Sequence, residues 1–581
     1  SMIFSSLAWT VAFSLFASLS VALTIIPVLS SKILTISRGE EKKSLLQLPS
    51  KMWQKFMVRL ASLYGRSLTW VLAHRWLLVF MFLGAFGAST LLIPYVGYEF
   101  LPSVDMGEVT VNVRLPVGST LEETDRVVQQ VEQMTGEFPD IDAVFSSVGS
   151  GGSYSGQAVP ERASLQIRMV AVGERELSTA ELTEELRKRA QRIPGVDITV
   201  MEQDIAQGQM GGDGAISISV KGDDLEVLRT LTSDIAQRVA RVEGTRDVET
   251  SFSEGRPELQ IKLDRERAGS LGISTYQVAS AVRLALEGQV ATRYRVGGQE
   301  VDVRVQTTNL HSHNMAALEQ LSISTALGGT VPIGEVASIT REIGPVQIRR
   351  DGQVRSANVT SQVYGRDIGR VSQDIQEEMK DLQLPLGYMV DFEGQQADMI
   401  ESFEDLTVAL IMAILLVYMI MAAQFESLLY PFIIMFSLPQ TFIGVMLALV
   451  ITGRTLNVSS FIGVIMLAGI VVNNGIVLVD YVNILRRERN YERDEALREA
   501  GMVRLRPIMM TTMTTVLGML PLALNIGEGT EALAPMANVI IGGLTVSSIM
   551  TLLLVPVVYA MMDDAGKWLG QRLKQRKLKL E

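Results

Sequence analysis

The run SSFIGVIMLAGIVVNNGIVLVD, residues 459–480, contains no charged side chain before its last residue, Asp480. An apolar stretch of about 18 residues or more is long enough to cross the hydrocarbon core of a bilayer. Comparable stretches recur along the 581-residue chain. The predicted spans lie near residues 7–29, 76–95, 404–423, 430–452, 459–482, 508–526 and 537–561. The sequence therefore predicts a membrane α-helical bundle of about seven transmembrane helices.

Positive charge is distributed unevenly among the connectors. Lysine and arginine concentrate in residues 31–75, in residues 483–507 and in the tail after residue 562. Cytoplasmic loops of membrane proteins carry an excess of these residues, which places all three segments in the cytoplasm. Counting spans from these segments places residues 98–400 on the extracytoplasmic side. We therefore expect a multi-pass membrane protein with a large extracytoplasmic domain.

Composition excludes several classes of function. The net charge of −11 argues against nucleic acid as a partner, and the absence of cysteine excludes disulfides and thiol catalysis. His311 and His313 have no third ligand nearby in sequence, so a polar loop is favoured over a metal site there. The sequence has no recognisable Ser/His/Asp set and no Gly-rich phosphate loop. We expect no metal, no cofactor and no enzymatic activity.

The block between the second and third spans repeats one pattern four times. Each copy is an alternating strand, an amphipathic helix and a second strand. The copies are 107–115, 120–136 and 142–148; 163–170, 178–193 and 196–202; 215–221, 223–241 and 245–252; and 356–364, 367–382 and 387–393. One βαβ unit cannot bury its own sheet face, so the pattern predicts an extracytoplasmic α+β block of two ferredoxin-like (split βαβ) subdomains. Residues 255–350 interrupt the second and predict an inserted subdomain with its own hairpin.

Polar residues inside the spans are candidates for function, because charged and amide groups are costly in hydrocarbon. Asn473, Asn474 and Asp480 lie in one span, where Asn473 and Asp480 share a helix face. Arg504 lies at the predicted cytoplasmic edge of the next span, and Thr511 lies just inside it. Two interpretations stay open: the asparagines hydrogen-bond across a helix interface, or they belong to an ion path. For Thr511 and its neighbours Thr512, Thr514 and Thr515, the alternative to a functional role is a hydrogen bond back to the backbone of their own helix.

Four stretches resemble one transporter family. They are YEFLPSVDMGEV (98–109), VPIGEVASI (331–339), GIVVNNGIVLVDY (469–481) and RLRPIMMTTMTTVLGMLPLAL (504–524). Together with the order of spans, they resemble the C-terminal half of resistance–nodulation–division (RND) exporters of the hydrophobe/amphiphile, acriflavine-resistance type. The resemblance covers essentially the whole chain. It implies a protein of the bacterial inner membrane.

The resemblance implies a division of the chain into domains. Residues 1–30 and 76–97 correspond to the family's sixth and seventh transmembrane helices, joined by a cytoplasmic basic linker with an amphipathic helix at 31–75. Residues 98–210 correspond to the first porter subdomain. Residues 211–254 and 351–395 correspond to the second, and 255–350 to the docking insertion. Residues 396–562 correspond to five transmembrane helices, and 563–581 to a basic cytoplasmic tail.

The resemblance also implies roles for individual residues. Asn473 stands where the family has a relay lysine, and Arg504 and Thr511 match its relay arginine and threonine. Asn474 and Asp480 complete the candidate proton relay. The family's proton-accepting aspartates belong to an N-terminal half that this sequence does not contain. A flexible substrate loop corresponds to 148–156, and its named residues are Val148, Gly149, Gly151, Gly152, Tyr154 and Gly156. An ordinary strand connector is the alternative for that loop.

The implied function is efflux of drugs and amphiphiles driven by the proton-motive force. As a half, the chain is expected not to transport alone. The implied partners are membrane lipid, small amphiphilic substrates, and the N-terminal half or a second copy of this chain in a dimer of halves. The family also implies a trimer, a periplasmic adaptor and an outer channel. Two alternatives remain: a heavy-metal exporter of the same superfamily, to which the 28 methionines would contribute thioether ligands, and a truncated, transport-incompetent chain.

Overall fold

The computed structural model describes residues 2–33, 47–102, 104–149, 159–203, 214–252, 256–286, 288–305, 315–325, 328–344, 348–527 and 529–577. The helices are α1 (Met2–Ile33), α2 (Gln47–Ala73), α3 (Arg75–Thr90), α4 (Ile93–Val96), α5 (Leu121–Thr135), α6 (Thr179–Ala190), α7 (Leu225–Val239), α8 (Arg265–Ser270), α9 (Thr275–Leu286), α10 (Met315–Glu319), α11 (Ile333–Val336), α12 (Ile368–Glu378), α13 (Gln395–Phe425), α14 (Leu429–Met435), α15 (Leu438–Thr452), α16 (Val458–Glu488), α17 (Arg493–Ala523) and α18 (Ala534–Lys577).

The strands are β1 (Glu108–Arg114), β2 (Ile141–Val148), β3 (Arg162–Met169), β4 (Asp197–Glu202), β5 (Ile216–Lys221), β6 (Thr245–Thr250), β7 (Arg256–Leu263), β8 (Gln289–Val296), β9 (Gln299–Val305), β10 (Ser322–Ser324), β11 (Thr330–Pro332), β12 (Ala337–Gly344), β13 (Arg349–Asp351), β14 (Val354–Val363) and β15 (Met389–Glu393). All twelve strands and helices predicted from the repeat are present.

Several helices are long and apolar enough to cross a membrane. In the described part of the chain these are Ala8–Ile33, Gln395–Phe425, Leu429–Thr452, Val458–Glu488 and Ala534–Trp568. The helices α2 and α3 meet at a bend of 99° and would together form a sixth span. Helix α17 is not among them, because it begins with charged residues and its apolar part is interrupted by threonines and two prolines. The exact number of spans, seven by sequence, therefore stays a prediction.

The first four strands form one antiparallel sheet in the order β2-β3-β1-β4. Strand β3 separates β1 from β2, which is the split βαβ arrangement. Helices α5 and α6 each begin with a capping box, at Thr120 and Ser178, which satisfies backbone N–H groups at their first turns. Their apolar stripes pack on the sheet, as in the contact of Leu182 with the core around Leu165.

The second sheet repeats this topology with strands that are distant in sequence. Its central order is β14-β5-β15, and β6 and β13 share the outer edge of β14. Helices α7 and α12 cover it through Leu228, Ile235, Val371 and Ile375, all buried. The residues between β6 and β13 form separate pairs, β7 with β12, β10 with β11, and the exposed hairpin β8–β9.

Helix α18 packs against α15, α16 and α17 in the bundle. Helices α15 and α18 approach closely, and a Cβ atom added at Gly444 would overlap the carbonyl oxygen of Gly542. Small residues at such crossings let helix backbones approach and gain dispersion contacts.

The three predicted cytoplasmic segments meet at one end of the bundle. Arg75 forms ion pairs with Asp564 at 2.6 Å and with Asp494 at 3.6 Å. Arg486 lies 3.2 Å from Asp563, and Arg493 lies 3.4 Å from the same carboxylate. These contacts join the start of α3 to α16, α17 and α18, and the two sheets lie beyond the opposite end, where the chain leaves α4 for β1.

Candidate functional site

A buried polar triad joins three helices inside the bundle. The Asn474 side chain on α16 donates to Ser548 Oγ on α18 at 3.3 Å, and Ser548 Oγ lies 2.8 Å from Thr512 Oγ1 on α17. All three residues are buried. A serine hydroxyl has one proton and two lone pairs, so Ser548 can satisfy both neighbours at once. We call Asn474, Thr512 and Ser548 the polar triad.

Further polar groups are buried among the same helices. Gln440 on α15 and Thr551 on α18 are fully buried. Among the described residues, Gln440 Oε1 and Thr551 Oγ1 have no hydrogen-bond partner. An unpaired polar atom in hydrocarbon costs free energy, so such groups in a membrane protein are candidates for function. Buried polar side chains therefore lie at several points inside a bundle whose core is otherwise hydrophobic.

The predicted relay residues lie in different surroundings. Asn474 is buried, whereas Asn473, Asp480 and Thr511 are exposed on the surface of the described bundle. The Thr511 hydroxyl donates to Ile508 O at 2.9 Å, within its own helix. The structure thus brings Asn474 to a partner on another helix and leaves Asn473 and Thr511 facing outward.

Arg504, on α17, is half-buried. Its guanidinium carbon is 4.8 Å from the centroid of the Tyr481 ring on α16, a cation–π contact. Within the described chain Arg504 Nε is buried and has no hydrogen-bond acceptor. Arginine stays protonated, so this group can supply fixed positive charge near the end of the bundle but cannot carry a proton.

The proposed substrate loop is described only at its base. Gly149 has φ +75°, and a Cβ atom there would lie 2.5 Å from Leu121 Cδ1. Its N–H donates to Arg162 O at 2.8 Å and its carbonyl accepts from Val159 N–H at 2.9 Å. These bonds close the loop beside Val148 at the end of β2. Gly151, Gly152, Tyr154 and Gly156 lie outside the described residues.

The two sheets meet through charged side chains. Arg187 on α6 lies 3.0 Å from Asp247 Oδ2 on β6, and Arg114 on β1 lies 3.4 Å from Glu249 Oε2. Burial raises the pKa of Asp247, and Arg187 only partly offsets that effect. The interface between the sheets is therefore polar and sensitive to charge.

Sequence reasoning missed Thr512 and Ser548 as individual residues. Thr512 was one of four threonines in one predicted span, and Ser548 lies in the TVSSIMT stretch of the last span. A signal existed, because Ser547, Ser548 and Thr551 recur at helical spacing within an apolar run.

Membrane-length helices that enclose a few buried polar groups, joined at one end to two split βαβ sheets, define a multi-pass membrane protein with a large α/β portion outside the bundle. The chain belongs to the AcrB/AcrD/AcrF family, whose model matches residues 1–563. Members of this family are RND transporters, which are secondary transporters.

Two kinds of relatives extend this comparison. The chain is 31% identical over 572 residues to the swarming motility protein SwrC of Bacillus subtilis (strain 168), covering 97% of this chain and 52% of SwrC. Two crystal forms of a heavy metal efflux pump share its fold, with TM-scores of 0.77 and 0.76 at 24% and 25% identity. Each match covers 87% of this chain and 52% of the pump. The chain thus spans about half the length of the relatives it matches.

Proposed function

We propose that this chain is the C-terminal half of an RND efflux transporter driven by the proton-motive force. The observation that supports this most directly is the polar triad, which links α16, α17 and α18 through hydrogen bonds inside the membrane-length bundle. Coupling to a proton gradient requires a titrating group, and asparagine, serine and threonine do not titrate. The triad therefore cannot accept the proton, and Asp480 lies near the predicted cytoplasmic end of α16, so in this proposal the proton-accepting carboxylates are supplied by the other half of the transporter, on the same polypeptide or on a separate one.

The exposed polar residues of the bundle face that other half. Asn473 and Asp480 lie on one side of α16, and both are exposed in this chain. Polar side chains facing lipid are unfavourable, so a second helical bundle covering this side stabilises the arrangement. In this proposal Asn473, Asp480 and Thr511 contact the proton-carrying helices, Arg504 supplies fixed charge, and Asn474 transmits the change to α17 and α18 through Ser548.

The two sheets are the porter subdomains in this proposal. Residues 98–210 form the first, residues 211–254 and 351–395 form the second, and residues 255–350 form the docking insertion. The polar contacts between the sheets, Arg187–Asp247 and Arg114–Glu249, form the interface along which the subdomains move against each other. The loop at 148–156 lies beside the substrate. The assembled pump is a trimer that engages a periplasmic adaptor and an outer channel.

Small amphiphiles are the proposed substrates, and heavy-metal ions are the second candidate. Heavy-metal transport is supported by the fold that this chain shares with the heavy metal efflux pump. Two porter methionines count against it. Arg175 Nη1 lies 3.2 Å from Met169 Sδ, where its charge would repel a metal cation, and Gln362 Nε2 donates to Met201 Sδ at 3.5 Å. Thioethers engaged by these donors are poor ligands for a soft cation such as Cu(I).

The test is efflux in cells that make this chain together with the N-terminal half. We expect export of a lipophilic cationic dye that stops when a protonophore is added, and no gain in tolerance to Cu(I) or Ag(I). Ser548→Ala and Asn474→Leu should reduce dye export, whereas Thr545→Ala should not, because Thr545 is exposed on the same helix and bonds only to its own backbone at Ile541 O. Metal tolerance without dye export would select the second candidate. If the cells show neither dye export nor metal tolerance, the proposal is rejected.

A further inference from the structure

The peptide that leaves the bundle for the first sheet, described at residues 97–102 and 104–107, contacts two connections between membrane helices. Leu456, between α15 and α16, donates its N–H to Gly97 O at 3.1 Å and accepts from Glu99 N–H at 3.2 Å. Thr455 Oγ1 donates to Glu99 Oε2 at 2.8 Å. This peptide is therefore held to the bundle beyond its covalent link to α4.

Asp105 within this peptide contacts the connection between α17 and α18. Its backbone N–H donates to Glu531 Oε2 at 2.8 Å, and Glu531 lies in the 3-10 turn Thr530–Ala532. Helices α17 and α18 carry Thr512 and Ser548, two of the three members of the polar triad. The Glu531 carboxylate thus sits at the end of the two helices that the triad ties together.

The side chain of Asp105 faces the first sheet. Its Oδ1 lies 2.6 Å from Arg175 Nη2, and the Arg175 side chain is only 2% exposed. Its Oδ2 accepts from the N–H of Thr179, the first residue of α6, at 3.3 Å, and the Thr179 hydroxyl bonds to the same carboxylate. The main chain and side chain of one residue therefore join two parts of the molecule: the connection between α17 and α18, and the start of α6.

The Asp105 carboxylate is firmly held. Burial alone would raise the pKa of this group, but hydrogen bonds from Thr179 and Arg175 outweigh burial and hold its pKa below the usual value. Charge-assisted hydrogen bonds of this kind are shorter and stronger than neutral ones. The ion pair with Arg175 and the two contacts with Thr179 thus connect Asp105 to the start of α6.

We infer that Asp105 and Glu531 are positioning residues that transmit displacement of α17 and α18 to α6 and the first sheet. This inference rests on the proposed function, in which a change at the polar triad moves those helices. Glu531 acts through the hydrogen bond to the Asp105 backbone, so an uncharged acceptor at the same place suffices. Glu531→Gln keeps an acceptor oxygen, whereas Glu531→Ala removes it, which makes the two variants a matched pair.

Hydrogen exchange in the full chain, reconstituted in lipid, tests this without measuring transport. Ser548→Ala perturbs the triad, and we expect exchange of the α6 amides to rise by about fivefold, the low end of the range for coupling between sites. The same substitution in a Glu531→Ala background should leave α6 exchange unchanged, and in a Glu531→Gln background the rise should return. The amides of α7, in the second sheet, serve as the internal control for global unfolding.

Two outcomes would overturn the inference. One is an α6 response to Ser548→Ala that persists in the Glu531→Ala background, and the other is no α6 response in the otherwise wild-type chain. Because the readout is local opening of α6, it is independent of whether the assembled protein exports dye. A failure of the proposed function in the efflux assay is therefore distinguishable from a failure of this link.

Discussion

Ser548 is the central residue of the polar triad. It contacts Asn474 and Thr512 on two different helices, so its loss leaves both of them without their partner on α18. Hydrogen bonds between membrane helices contribute about 0.6 kcal/mol on average and seldom more than about 1.7 kcal/mol. A residue that serves two such bonds is expected to have a measurable but moderate effect on stability.

Ser548→Ala should lower the free energy of unfolding by about 1 kcal/mol, because two interhelical hydrogen bonds are lost. The measurement is reversible unfolding of the chain in mixed detergent micelles with increasing denaturing detergent. Thr545→Ala is the control on the same helix and should change the free energy by less than half as much. Equal effects of the two substitutions would show that the triad does not stabilise the bundle.

Asp105 should make stability depend on pH. Its pKa is lowered in the folded protein, so its contribution is complete above the unfolded-state pKa of about 3.9 and is lost as pH falls through the folded-state value. Asp105→Asn removes this contribution at neutral pH. We expect the variant to unfold at a lower temperature than wild type at pH 7, and the difference to narrow as pH falls below about 4. A difference that stays constant with pH would contradict this role of the carboxylate.

At the scale of elements, the strands and helices outside the bundle were predictable and the polar triad was not. The stripes of α7 and α12 follow the helical period, and Leu228, Ile235, Val371 and Ile375 are buried as that period requires. In the bundle α16 has apolar residues on every side, so its pattern does not define a buried face. Consecutive helix residues point about 100° apart, and only packing against α18 selects Asn474 over Asn473 as the buried amide.

The crossing of α15 and α18 gives a prediction about helix packing. Gly444→Ala should destabilise the bundle by about 1–3 kcal/mol, because the new methyl group would overlap Gly542 O and force the helices apart. Gly518→Ala, on α17, is the matched control: a Cβ atom there meets nothing within 4 Å. The same unfolding assay in mixed micelles measures both. A loss of stability at position 518 equal to that at 444 would contradict the packing argument.

At the scale of the whole molecule, the two ends of the bundle differ. Ion pairs cluster at one end, and the two sheets lie beyond the other. Arg75, Arg493 and Asp564 come from three segments that the charge distribution predicts to be cytoplasmic, and they meet at the same end. Span count was less predictable from sequence, because α3 has only 16 residues and α2 bends away from it at 99°. Local apolar length does not reveal where a helix turns.

Reporter fusions test the orientation that follows from this arrangement. A fusion at Gly173, in the turn after β3, should report the extracytoplasmic side, because the first sheet lies beyond the end of the bundle opposite the ion pairs. A fusion at Asn490, between α16 and α17, should report the cytoplasm. Alkaline phosphatase and fluorescent-protein fusions at both sites provide complementary signals. Finding both sites on one side would reject the proposed topology.

The measurement that tests the central claim most directly is dye efflux from energised membrane vesicles containing this chain, alone and together with the N-terminal half. In the described bundle neither the triad nor Arg504 titrates at a relevant pH, and the Asp480 carboxylate lies near the predicted cytoplasmic end of α16 rather than in its apolar middle. Moving one charge across 100 mV is worth about 2.3 kcal/mol, and only a group that binds and releases a proton inside the membrane can couple to that energy. We therefore predict no protonophore-sensitive efflux by the chain alone and its appearance when the other half is present. Protonophore-sensitive efflux by the 581-residue chain alone would contradict the account.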